Sequence, residues 1–179
     1  MTGAVRLASR FVSICALGLW LGGFTVYTAF IIPIGHRQVS SGRFGFVTGQ
    51  FTTVLNVLSA VAALALLLNL LIERGGIGGR LRWTLIGTWI AIVAAALVLA
   101  VLHSRLDGLL DYKSREISSP DRFHSLHERY ELFATLQWAA GLVHLGFLLA
   151  GWRRSDRASV TPSPRQTPGD PAVPSRDLS

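Results

Sequence analysis

The chain has 179 residues, of which 50% are hydrophobic and 15% charged, with a net charge of +7 and a mean hydropathy of +0.44. The apolar residues collect in four blocks free of Asp, Glu, Lys and Arg, each near the roughly 20 residues that cross a bilayer, so a soluble domain with charge on one helix face is excluded. The basic excess sits at the block ends and in the tail, where it anchors and orients membrane spans, which argues against a nucleic-acid partner.

A short basic arm (1–10) with Arg6 and Arg10 precedes the first block, FVSICALGLWLGGFTVYTAFIIPI (11–34). This run is longer than the apolar core of a signal peptide, roughly 7–15 residues, and ends at Pro33 rather than at a small-residue cleavage site, so it reads as a retained span. Cys15, the single cysteine, lies inside it and reads as a small packing residue. Trp20-x-Gly22-Gly23 reads as a helix-packing point, small residues letting two backbones approach. A polar connection with His36 follows. The mixed segment FGFVTGQFTT (44–53) then leads into the second apolar block (54–72), so the second helix is expected over 44–73, extended beyond the bilayer.

A glycine-rich basic turn (73–82) leads to the third span (82–103), closed by His103. It lacks the lysine and preceding strand of a phosphate-binding loop. In the next connection, Leu106, Leu109 and Leu110 against Asp107 and Asp111 suggest a short amphipathic turn. The fourth helix is expected over 121–152, with Ser119 as N-cap, Pro120 at the first helical position and Asp121 complementing the dipole. Its apolar part begins only at Leu132. The tail (154–179) holds five prolines after residue 160 and no aromatic residue, a composition that stays disordered. The expected fold is therefore all-α: an integral membrane four-helix up-down bundle (11–153) with helical extensions on one face.

Positive charge orients it. One side holds Arg6, Arg10, Arg74, Arg80, Arg82, Arg153, Arg154, Arg157, Arg165 and Arg176; the other holds Arg37, Arg43, Arg105, Lys113, Arg115, Arg122 and Arg129. Ten against seven favours both termini in the cytoplasm. Whichever face is which, four spans place His36, His103, His124 and His127 at the same one. On the fourth helix His124, His127 and Glu131 fall within about 60° of one another, sharing a face. Imidazoles and a carboxylate so placed can ligate a transition metal, or present an imidazole to haem iron. The alternative is a solvated, polar helix entrance. Within the spans the polar groups are Asn56, Asn69, Gln137 and His144. Such groups usually hydrogen-bond between helices, and the ionisable His144 is also a functional candidate. No nucleophile–base pair or paired intramembrane carboxylate is present, so catalytic residues are not assigned.

The stretches LGLWLGGFTVYTAFIIPIGHR, GRFGFVTGQF and RFHSLHERYELFATLQWAAGL resemble the four-span family grouped with transmembrane protein 205 and the bacterial domain of unknown function 4149. The matching positions are Trp20, Gly22, Gly23, Pro33, Phe44, Gly45, Phe123 and His127, within residues 11–152. The family's Phe-Pro entering the second span is here Phe51-Thr52. The resemblance implies a four-span bundle, located in a bacterial inner membrane, and a remote similarity to copper-resistance D and haem-biosynthesis membrane proteins, whose span-end histidines handle copper or haem. The functional expectation is a polytopic membrane protein binding a metal or haem at the histidine face. The alternative is a small-solute or ion transporter, or an accessory subunit, acting through the polar bundle residues. Beyond the lipid bilayer, the partners to expect are a second copy of the chain or a membrane complex.

Overall fold

The computed structural model describes residues 3–38, 41–75, 78–111 and 116–160. The tail from 161 onward lies outside them, as do the side chains of His36 and Phe44. Helix α1 (Gly3–Val26) passes through a π-helical turn (Tyr27–Ile31) into α2 (Ile32–Gln38). Helices α3 (Ser41–Ile72), α4 (Gly79–Asp107) and α5 (Pro120–Val160) follow, with a two-residue hairpin, β1 (Leu110–Asp111) and β2 (Glu116–Ile117), between α4 and α5. Among the described residues four helical segments are long and apolar enough to cross a membrane, so the chain is a membrane protein with an all-α four-helix bundle.

The bundle is up-down because consecutive spans are neighbours. α1 packs on α3, α3 on α4, and α4 on α5, which share the most extensive contact. The closing pair, α1 and α5, touches least. Leucines, valines and phenylalanines such as Leu7, Phe11, Leu64, Leu97 and Leu136 point outward, where lipid replaces the water that would otherwise penalise them. Inside sit Ser13, Ser59, Ala62, Ala63 and Ala65, small enough to let helices approach closely.

At 32 and 41 residues, α3 and α5 are about 48 Å and 62 Å long, well beyond a hydrocarbon core of roughly 30 Å. Both begin with extensions on the histidine-bearing face. Helix α5 starts at Pro120, the Phe123 amide donating to the Ser119 carbonyl at 3.0 Å, as an N-cap at Ser119 requires. The basic arm is part of α1, and α5 runs seven residues beyond Arg153, to Val160.

Proline does not end the first span. Pro33 has no amide to offer the Ala29 carbonyl and crowds it, which favours a widened turn. The widening is visible one residue earlier: the Ile32 amide bonds the Tyr27 carbonyl, a five-residue step. Past this turn the helix resumes to Gln38.

In the last turn of α4 Leu106 is buried, and beyond it Leu109 packs against the same apolar cluster, while the chain turns back as the hairpin rather than as an amphipathic helical turn.

Candidate functional site

The histidines expected to converge are distributed over separate pairs. His103 Nε2 lies 2.9 Å from Thr53 Oγ1 and 3.5 Å from Asp107 Oδ2. His124, largely exposed, pairs with Glu128 at 3.2 Å. His127 pairs with Glu131 at 3.1 Å and stacks on Phe123 with ring centroids 5.9 Å apart. The side chain of His36 lies outside the described residues. Among the described residues no group of three His, Cys, Asp or Glu side chains is arranged to hold a metal. The common helical face of His124, His127 and Glu131 does not become a common ligand shell, because each histidine meets the carboxylate one turn on.

Asn56, Asn69, Gln137 and His144 all reach across helices. The Tyr130 hydroxyl donates to Asn56 Oδ1 at 3.0 Å, and the Gln137 amide donates to the Ile92 carbonyl at 3.1 Å. Asn69 accepts from Trp152 Nε1 at 3.3 Å and donates to Ser9 Oγ at 3.0 Å. His144, fully buried, has Nδ1 2.7 Å from Thr88 Oγ1, while its Nε2 has no partner. Thr88 Oγ1 also lies 3.0 Å from the Thr84 carbonyl. With the single hydroxyl proton given to that carbonyl, the oxygen accepts from Nδ1–H. Thr88→Val is expected to lower stability by about 1–2 kcal/mol in detergent unfolding. That exceeds the ~0.6 kcal/mol average for interhelical bonds in membranes, because His144 has no second partner. Thr88→Ser should retain most of the stability.

Tyr130, Gln137 and His144 are spaced by seven, and Ala134, Gly141 and Leu148 are buried on the same seam of α5. A seven-residue repeat keeps one side of a helix turned to its neighbours in a bundle of small crossing angle. That spacing is legible in the sequence once Tyr130 is counted with the intramembrane polar groups.

At the histidine-facing end of this seam lies a cavity of about 270 Å³. Trp20, Phe24, Tyr27, Thr28 and Ile32 line it from the first span, Thr52, Leu55 and Asn56 from α3, and Leu99 from α4; His127, Tyr130, Glu131, Ala134, Thr135 and Gln137 line it from α5. It occupies the gap between two apolar clusters, one containing Trp20 and the other containing Leu99, Tyr130 and Ala134. The exposed lining residues, Thr28, Glu131 and Thr135, lie on α1's π-turn and on α5, so the cavity opens through the loosely packed α1–α5 seam. The π-turn brings Tyr27, hydrogen-bonded to Thr48, to its wall. The donors and acceptors facing the cavity are held in place: Tyr130 is fixed by Asn56 and Thr52, and Gln137 by Ile92.

The seam closes below the cavity. A Cβ on Gly141 would lie 2.8 Å from Trp20 Cζ3 and 2.9 Å from Leu21 Cδ2, so this glycine is the close crossing of α1 and α5. Gly22 meets nothing within 4 Å and Gly23 only leucine side chains of α3, the nearer at 3.4 Å. Trp20 is thus the packing residue, but the glycine it needs is on another helix.

At the opposite membrane face is a charged cluster that sequence reasoning missed. Arg10 Nε lies 2.8 Å from Glu73 Oε1, its Nη1 lies 2.8 Å from Asp156 Oδ1, and its guanidinium sits 5.4 Å from the centre of the Trp152 ring. Glu73 is buried, with Oε2 unpartnered. The signal was present as an acid directly after the second apolar block and an arginine directly before the first, which up-down topology places at one end.

The chain matches no protein-family model, no curated protein and no solved structure.

Proposed function

We propose that this protein is a small-solute transporter of a bacterial inner membrane and that the α1–α5 cavity is its binding site. The observation that carries this reading is the cavity itself: a recess of about 270 Å³ with fixed polar groups among aromatic walls, bordered by a π-turn in the first span. Small-ligand sites combine an apolar lining with a few placed polar groups, and π-turns recur at functional positions. The seal beneath it, Trp20 on Gly141 and then the Arg10 cluster, would be the barrier toward the other face. With both termini cytoplasmic, the cavity belongs to the outer half of the membrane. The metal or haem reading has less support, since the described histidines are engaged pairwise.

The test is a binding screen of the full chain in nanodiscs by saturation-transfer nuclear magnetic resonance. The panel holds ring-sized neutral, cationic and anionic compounds. At least one should bind saturably, and Ala134→Trp, which fills the cavity from a buried wall position, should abolish that binding while the helix content is kept. Binding of none of the panel, or binding indifferent to Ala134→Trp, overturns the proposal.

A further inference from the structure

The lining of the cavity is uneven in charge. Among the described residues Glu131 is its one carboxylate, and no lysine or arginine lines it. Glu131 stands at the mouth, with 59% of its side chain exposed, and shares one oxygen with His127. Behind it the wall carries the rings of Trp20, Phe24, Tyr27 and Tyr130. Aromatic faces attract cations through their negative quadrupole, and more strongly where water is scarce. A carboxylate at the rim adds attraction for a cation and repels an anion. The opening faces the lipid-exposed seam between α1 and α5, so an occupant with an apolar body can arrive from the bilayer.

We infer that the occupant is a lipophilic organic monocation, a quaternary ammonium group carrying a ring-sized apolar body, held by the aromatic walls with Glu131 as its counter-charge. This rests on the small-solute reading of the cavity and narrows it to one charge class. Tyr27 is the ring most distinctive of the site, because the π-turn places it there. Glu131 acts at the entrance, and its exposure means that Glu131→Gln should leave the fold intact.

The experiment is calorimetric titration of the full chain in nanodiscs with benzyltrimethylammonium. Competition by its neutral isostere neopentylbenzene and by benzenesulfonate is measured in parallel. The cation is expected to bind at least tenfold more tightly than the isostere, and benzenesulfonate should not compete. Glu131→Gln should weaken the cation about tenfold without changing the affinity for the isostere. Tyr27→Leu should weaken it while Tyr27→Phe, which keeps the ring, should not. Equal affinity for cation and isostere, or a cation affinity indifferent to Glu131→Gln, overturns the charge assignment and leaves the cavity reading in place. Binding of none of the three removes the cation and counts equally against the cavity reading.

Discussion

Replacing Arg10 with leucine is expected to cost about 3–5 kcal/mol, the largest effect of any single change considered for this chain. The reason is not the surface ion pair. Asp156, with 62% of its side chain exposed, can turn to water when Arg10 is gone, and pairs of that kind are worth at most about 1 kcal/mol. Glu73 cannot turn away. Its side chain is fully buried, one oxygen is already without a partner, and Arg10 Nε satisfies the other at 2.8 Å. Removing the guanidinium strands a carboxylate at the end of α3 and also removes the cation over Trp152. Unfolding in mixed micelles should therefore show Arg10→Leu far below the parent chain. The double variant Arg10→Leu/Glu73→Leu should regain most of the loss, because an apolar pair of similar volume escapes the desolvation penalty. Asp156→Ala should stay within about 1 kcal/mol of the parent. If the double variant is no more stable than the single one, the cluster is not the electrostatic clamp described.

The second large effect is steric. Gly141→Ala is expected to destabilise by about 1–3 kcal/mol, because the added methyl lands 2.8–3.0 Å from the Trp20 ring and 2.9 Å from Leu21. Both neighbours are packed: Trp20 and Leu21 belong to the buried cluster that fills this half of the bundle. The least obstructed way for Trp20 to retreat is into the cavity it borders, so the same variant should reduce small-molecule binding as well as stability. Trp20→Leu should make room. In a double-mutant cycle, Gly141→Ala should cost less in the Trp20→Leu background than in the parent, a coupling expected of residues in contact and absent between distant ones. Gly22→Ala, which meets open space, should be close to neutral.

Much of this protein is legible in its sequence. Uncharged blocks of bilayer length dictate spans, since in lipid every backbone group must bond within the segment, and short connections dictate up-down order. Ser119-Pro120-Asp121 marked the start of α5, and an order of four spans placed the histidines at one face. The intramembrane polar residues were identifiable because each stands alone in an apolar run. Their partners were not. A hydrogen bond such as Tyr130 to Asn56, 74 residues apart, depends on the rotation of two helices about their axes, which hydropathy does not specify. Among the described residues the histidines form no common ligand group for the same reason: one helical face and one membrane face do not bring side chains within about 2 Å of a common ion.

What the sequence alone determined, then, is the number of spans, their order and their extensions toward the histidine-bearing face. Those follow from length, charge and transfer free energy, which are local. The tertiary structure decided where the bundle is tight and where it is open. Gly141 rather than Gly22 or Gly23 receives Trp20, Arg10 finds Glu73, and Pro33 widens a turn instead of ending a helix. The cavity between α1 and α5 is the sum of these outcomes, because a void is set by how helices seat against one another and no single segment encodes it.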